Sequence, residues 1–333
     1  MLVPVDDGAE PAHARRVLRV DEAVAVAVEA CAEDTKGQTC FICTQALHWK
    51  TKEGLVRGCA CRGTAGFVHV SCLAEQAKIL WAEAEENNLG FKVMTERWER
   101  WHTCSLCEQR YHGVVACALG WACWKTYVGR PETSMARGLA MSLLGNGLSD
   151  AGHDEAALSV READLAMRLR IGAPERCLLL AQSNLANTYQ RLGRLDEALS
   201  IRQDAYLGTL TLEGEESRNT FLEANNYAAD LRCLERFEEV KRLLRKLRPV
   251  ARRVFGDNDR LTLKMSWNYA TALYMDDGAT VDDLREAVTT LEDTDRIARR
   301  VMGGGHPLTL DLQDCLRNAR AALGAHETPS GSA

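Results

Sequence analysis

LLLAQSNLANTYQRLGRLDEALSIRQDAYLGTLTL, Leu178 to Leu212, reads as two helices joined by a tight turn. The first carries apolar residues at helical spacing through Tyr189, GRLDEAL turns the chain, and the second runs on through Leu212. Small residues (Ala186, Ala198, Ala205) stand where two backbones must approach, and Leu185 and Tyr189 fill the space between. The unit repeats: Asn184, Asn226 and Asn268 are each 42 residues apart, in SNLANTY, NNYAADL and WNYATAL. SLLGNGL (Ser142–Leu148) is an earlier copy, with Leu144, Gly145, Leu148, Ala156 and Ala163 at the matching places, and LTLDLQD from Leu308 begins a last half-copy. A period of this length means stacked helix pairs, each too small to bury its own apolar face. The third copy has Val240 and Leu247 where alanines are expected, and the fourth has about five extra residues in its turn, MDDGATVDDL.

These repeats resemble the tetratricopeptide repeat, and their length resembles the kinesin-light-chain variety. The resemblance implies an α-solenoid over residues 132–325 whose first helices line an inner face. On that face Asn184, Asn226 and Asn268 resemble a position that hydrogen-bonds the backbone of an extended peptide. The alternative use of a recurring asparagine is an inter-helix bond that fixes the stacking.

The rest of the chain is of another kind. The whole chain has 333 residues, 13 cysteines, a formal charge of −6 and 46% hydrophobic residues. No apolar run approaches the roughly 18 residues of a membrane span, and the N-terminus has no signal-peptide pattern. The acidic balance argues against nucleic acid as a partner. Location in the cytoplasm, or in the nucleus, is the expectation. Residues 1–36 read as an acidic leader, partly helical (Val20–Asp34) or disordered, and 326–333 as a disordered tail. Residues 116–131 read as a connecting helix whose Trp121, Trp124 and Tyr127 form an apolar strip.

Residues 37–115 hold the informative cysteines. An odd number of cysteines without a secretory signal favours metal ligation over disulfides. Cys40, Cys43, Cys59, Cys61, His69, Cys72, Cys104 and Cys107 form four close pairs. A tight turn places both members of a pair on one ion, and four thiolates, or three and an imidazole, make a closed tetrahedral site. Eight ligands imply two ions, and soft sulfur donors select zinc. Spacing alone permits sequential or interleaved pairing. His48, His102 and His112 are spare, and His102 stands close enough to Cys104 to compete as a ligand.

CRGTAGFVHVSCL (Cys61–Leu73) and CSLCEQRY (Cys104–Tyr111) resemble the centre and last pair of the RING-CH (RING-variant) zinc finger of ubiquitin ligases. The order of ligands is shared with the plant homeodomain finger, a histone-tail reader, but the seven residues between Cys61 and His69 fit RING-CH. The gap between Cys72 and Cys104 is longer than in that family and is helix-compatible; Glu108 follows the last ligand, with Arg110 the nearest base. The resemblance implies a two-zinc cross-brace: Cys40, Cys43, His69 and Cys72 on one ion, and Cys59, Cys61, Cys104 and Cys107 on the other.

It further implies a ubiquitin ligase that holds a ubiquitin-charged conjugating enzyme in a reactive pose, without a nucleophile of its own. Ile42, Leu73 and Leu106 would form the docking surface for that enzyme, and the repeats would recruit a protein substrate or peptide. The expected fold class is mainly α: a small two-zinc RING-CH module followed by an α-solenoid. A non-catalytic adaptor and a histone-tail reader are the rival functions.

Overall fold

The computed structural model describes residues 20–304 and 306–327. The expectations for the leader before Val20 and for the tail after Glu327 fall outside the described residues. These residues form helices and turns, with two isolated bridges, Val56 to Val68 and Thr103 to Arg110, in place of any strand. The chain divides into two compact units, residues 1–181 and 182–333.

The first unit holds α1 (Val20–Ala30), α2 (Val70–Glu86), α3 (Phe91–Trp98), a 3-10 turn (Glu99–Trp101), α4 (Gly113–Tyr127), α5 (Met135–Asp150) and α6 (Asp154–Arg170). Its α1 is shorter than Val20–Asp34 and turns after Ala30. The alternation of its valines hides the face that matters: Ala23 and Ala27, one turn apart, are the buried residues, and α1 packs on α4.

Contact between α4 and α5 is the most extensive in this unit, and glycine makes it possible. A Cβ on Gly147 would lie 2.6 Å from the Ala116 carbonyl oxygen, and one on Gly120 would lie 3.0 Å from Leu144 Cα. In the α5–α6 pair the fully buried alanine of the turn is Ala157, one residue later than the Ala156 of the sequence pattern, and Ala163 is half-buried beside buried Asp164.

An aromatic cluster occupies the space beside α4. Trp81 and Trp98 meet edge to face with ring centroids 4.9 Å apart, and Trp101 packs on Tyr127 at 5.8 Å. The long gap between Cys72 and Cys104 is α2, α3 and the 3-10 turn, and it supplies three of these four rings. Trp121 is buried in the neighbouring core, with Trp124 packed against it.

The division between the units falls within α7 (Glu175–Arg191). The second unit continues with α8 (Leu195–Glu213), α9 (Arg218–Cys233), α10 (Phe237–Phe255), α11 (Arg260–Met275), α12 (Val281–Met302) and α13 (Pro307–Glu327). These are tetratricopeptide-like helix pairs. Ala198, Ala205, Ala228 and Ala270 are fully buried where helices cross. Each second helix ends on a glycine, Gly214, Gly256 and Gly303, at φ +84, +84 and +87, a conformation that favours a residue without Cβ. The extra residues of the fourth turn build a capping box. Asp283 N–H donates to the Thr280 hydroxyl at 3.1 Å, and Thr280 N–H donates to the Asp283 carboxylate at 3.0 Å.

At the heart of the second unit lies an arginine. Arg202, only 1% exposed, donates to Asp230 Oδ2 (3.1 Å), Ser183 Oγ (2.6 Å) and carbonyl (3.1 Å), and Asn187 Oδ1 (2.6 Å); Glu223 stands 3.5 Å away. The guanidinium fork has enough donors to satisfy four groups on two elements at once. Burial holds the Asp230 carboxyl above the ordinary range, and Arg202 pulls it back only in part. In the first unit Arg161 donates to Asn146 Oδ1 at 3.0 Å, the same pair of residue types 41 positions earlier.

Candidate metal centre

The local turns bring each cysteine pair together. In Cys40–Cys43 the Thr44 N–H donates to the Cys40 carbonyl (2.8 Å), the Cys40 N–H to the Gln45 carbonyl (3.0 Å), and the Ile42 N–H to Cys40 Sγ (3.4 Å). In Cys104–Cys107 the same three bonds recur. Glu108 N–H donates to the Cys104 carbonyl (3.0 Å), Cys104 N–H to the Gln109 carbonyl (2.9 Å), and Leu106 N–H to Cys104 Sγ (3.4 Å). Thr44 and Glu108 sit at φ +62 and +57, so the two knuckles share one backbone form. In each knuckle the N–H to sulfur bond fixes the first cysteine's side chain.

The other two pairs come from a bend and a helix start. Gly66, at φ +87, lets the chain fold over Cys61, where a Cβ would fall 2.6 Å from Cys61 Cβ. His69 precedes α2, and Cys72 lies on its first turn; the Glu53 carboxylate accepts from the Ser71 N–H (2.7 Å) and hydroxyl (2.8 Å), which holds that helix end in place.

The eight residues assemble into two groups: Cys40, Cys43, His69 and Cys72, and Cys59, Cys61, Cys104 and Cys107, with the ligand atoms of each group all within 4.8 Å of one another. This is the interleaved arrangement. His69 Nδ1 lies 3.4 Å from Cys43 Sγ and 3.6 Å from Cys72 Sγ, and Cys61 Sγ lies 3.8 Å from Cys104 Sγ. Bonds of about 2.3 Å to sulfur and about 2.0–2.1 Å to nitrogen give a tetrahedron with edges of about 3.8 Å between sulfurs and about 3.6 Å between sulfur and nitrogen. These three separations are close to the edge lengths of such a site. His69 Nε2 faces the Ala46 carbonyl at 3.3 Å, which leaves Nδ1 as the coordinating nitrogen.

Burial dominates the electrostatics of both groups. Burial pushes the Cys59 and Cys72 thiols well up and Cys61 to about 11, while it keeps His69 below its ordinary value and so neutral. Against burial, the backbone at Gln109 and neighbouring thiols pull Cys107 down to about 7. Neutral thiols crowded at contact are a poor core; a dication converts them to thiolates and reverses the sign of their burial.

His102 joins neither group. Burial and then Arg110 lower it to about 4, and its Nδ1 pairs with Thr103 Oγ1 at 3.0 Å. His48 is buried beside His69, with ring centroids 5.4 Å apart, and its Nδ1 pairs with Thr51 Oγ1. His112 is the residue before α4, and its N–H donates to the Gly58 carbonyl.

The expected docking residues separate. Leu106 is 52% exposed and Ile42 is half-buried, at matching places in the two knuckles. Leu73 is a correction: at 2% exposure it is spent in the core, because the first turn of α2 faces inward toward the ligands. Sequence reasoning missed Leu47 and Trp49 (69% exposed), which stand in the loop after the first knuckle. Arg110 is exposed.

The repeat asparagines also separate. Asn184 and Asn226 are half-buried. Asn268 is a second correction: it is 3% exposed and its Nδ2 donates to Asn225 Oδ1 at 3.1 Å, an inter-helix bond between α9 and α11 that removes it from any peptide face. The Arg202 network had one signal in the sequence, the 41-residue echo of Asn146 and Arg161 in Asn187 and Arg202.

Known proteins agree with the two halves. The RING-variant domain family matches residues 40–107, and a tetratricopeptide repeat family matches residues 178–214. Among solved structures, the chain is similar to a putative kinesin light chain with nearly identical TPR-like repeats from Podosopora anserina (17% identity, 70% of this chain and 98% of that one, TM-score 0.46). It is also similar to BtubC (BKLC) from P. vanneervenii (15% identity, 79% of this chain and 94% of that one, TM-score 0.42). No curated protein matches. Among the described residues no helix is long and apolar enough to cross a membrane.

Proposed function

For a chain that carries a RING-variant domain at 40–107 and a tetratricopeptide repeat at 178–214, we propose the function of a zinc-dependent ubiquitin ligase. The interleaved pair of tetrahedral donor sets within the matched domain carries this reading. Zinc in both groups supplies folding energy and fixes the knuckles, and no position is left open for water. Ile42 and Leu106, one on each knuckle, dock the conjugating enzyme. The domain orients the enzyme–ubiquitin thioester so that the amine of a substrate lysine attacks its carbonyl, the isopeptide bond forms and the enzyme's cysteine thiol leaves. Rate is gained by orientation alone. The repeats select the protein substrate, with Asn184 and Asn226 on the face of the first helices holding peptide backbone.

The test is discharge of ubiquitin from a panel of charged conjugating enzymes by the full chain, comparing wild type with Ile42→Ala. The expected result is a loss of discharge of about tenfold or more with zinc content unchanged at two per chain. A zinc-loaded wild type that discharges no enzyme of the panel sinks the ligase reading and leaves an adaptor whose repeats are the functional surface.

A further inference from the structure

The two groups of donors differ in the charge they must carry. Cys40, Cys43, His69 and Cys72 offer three thiolates and a neutral imidazole, and Cys59, Cys61, Cys104 and Cys107 offer four thiolates. Around a dication the first set is left with one negative charge and the second with two. The more highly charged set also holds Cys104, which is fully buried. A charge taken out of water has to be met by hydrogen-bond donors. The Leu106 N–H supplies one to Cys104 Sγ, at 3.4 Å.

Tyr111 is placed to supply another. Its N–H donates to the His102 carbonyl at 2.9 Å, and Thr103 bridges to Arg110, so residues 102–111 close a small hairpin around the knuckle of Cys104 and Cys107. The next residue, His112, donates its N–H to the carbonyl of Gly58, also at 2.9 Å, beside Cys59. The backbone thus pins Tyr111 between the two cysteine pairs that make up the set. Its side chain is 3% exposed and lies in the same buried cluster as Cys59 and Cys104. The hydroxyl is buried, and among the described residues no acceptor completes a hydrogen bond to it. A stranded hydroxyl is costly, and a phenylalanine would fill the same space without one. Burial, and then the nearby Cys104, hold the phenol well above its ordinary range, with Cys59 and Cys107 acting the same way, so it remains a donor.

We propose that Tyr111 is a positioning residue of the four-cysteine set, its hydroxyl donating to the Cys104 thiolate when the ion is bound. The hydrogen bond draws charge off the most buried sulfur, slows loss of the ion and steadies the knuckle that carries Leu106. This rests on the zinc reading given above and not on ligase activity.

The test is Tyr111→Phe in the full chain, which keeps the ring and removes only the hydroxyl. Zinc release to a chromogenic chelator is followed in time. The expected result is that one of the two ions leaves about tenfold faster than in the wild type and the other at the wild-type rate. In the chain loaded with cobalt instead, the sulfur-to-cobalt charge-transfer band is expected to move to longer wavelength in Tyr111→Phe, because a thiolate that loses a donor gives up its electron more easily. The same acceleration is expected in a Cys72→Ser background, where the ion that remains sits in the four-cysteine set. The proposal is overturned if both ions leave at wild-type rates, if both are accelerated alike, as lost packing would do, or if the cobalt band stays in place. A wild-type chain that takes up no metal overturns the zinc reading and this proposal together; ubiquitin discharge enters neither outcome.

Discussion

The two units of this chain solve the same problem with opposite materials. Around residues 40–107 the centre is built on seven cysteines and a histidine, ordered by N–H to sulfur bonds in the knuckles and packed among buried apolar residues such as Val56, Phe67 and Leu73. From residue 182 onward the centre is alanine, leucine and one buried arginine, closed by helix packing alone. With zinc bound there as proposed, the first kind of centre is only as stable as that cation, because its donors repel and desolvate one another without it. The second needs nothing bound. Order in the first is therefore conditional, and in the second intrinsic.

The sharpest way to break the comparison is to remove metal. Chelation of the full chain is expected to unfold residues 37–111 and leave most of the far-ultraviolet helical signal of the repeats. Structural zinc contributes on the order of 10 kcal/mol per site at neutral pH, so the effect is all or none. Cys72→Ser is expected to lower the zinc content from two to one per chain, by elemental analysis. Equal loss of helix throughout the chain on chelation would erase the distinction.

The converse experiment is Arg202→Met. It leaves Asp230 and Glu223 buried without their cation, and a cost of about 3–5 kcal/mol in urea unfolding of the full chain is expected, with zinc content unchanged. Asp230→Asn added to it should recover part of that loss; a double variant no better than the single would show that hydrogen bonding, and not charge, holds the network.

Gly147→Ala probes the part of the first unit that does not rest on metal. Its methyl group would meet the Ala116 carbonyl, which is backbone and cannot step aside, so about 1–3 kcal/mol should be lost by thermal unfolding of the zinc-loaded chain. The smallest effects compare two asparagines that the sequence treats alike. Asn268→Ala strands Asn225 and should cost about 1 kcal/mol. Asn226→Ala should stay within about 0.5 kcal/mol. Equal costs would mean that the two share one role.

What could be read in advance follows from range. The eight clustered residues were legible because each pair is a local event, a turn or the start of a helix, written in adjacent residues. The repeats were legible because periodicity survives loss of detail. Leu73 was not, because its burial is decided by how the first turn of α2 faces the core, a matter of tertiary packing. Asn268 occupies the same register as Asn184, and only the neighbour presented by α9 decides that it is consumed internally. Arg202, apart from its 41-residue echo of Arg161, looks like any helix-surface arginine; its burial is explained once Asn187, Ser183 and Asp230 converge on it.

The aromatic cluster beside α4 has an optical consequence. Six of the seven tryptophans, all but Trp267, lie between residues 49 and 124. Trp81, Trp98 and Trp101 are deeply buried against one another and Tyr127. Intrinsic emission excited at the red edge of protein absorption therefore reports almost entirely on the first unit, and Trp267→Phe would remove the tryptophan emission of the second. One cuvette, read by fluorescence for the first unit and by circular dichroism for the helices of both, follows the molecule without a label.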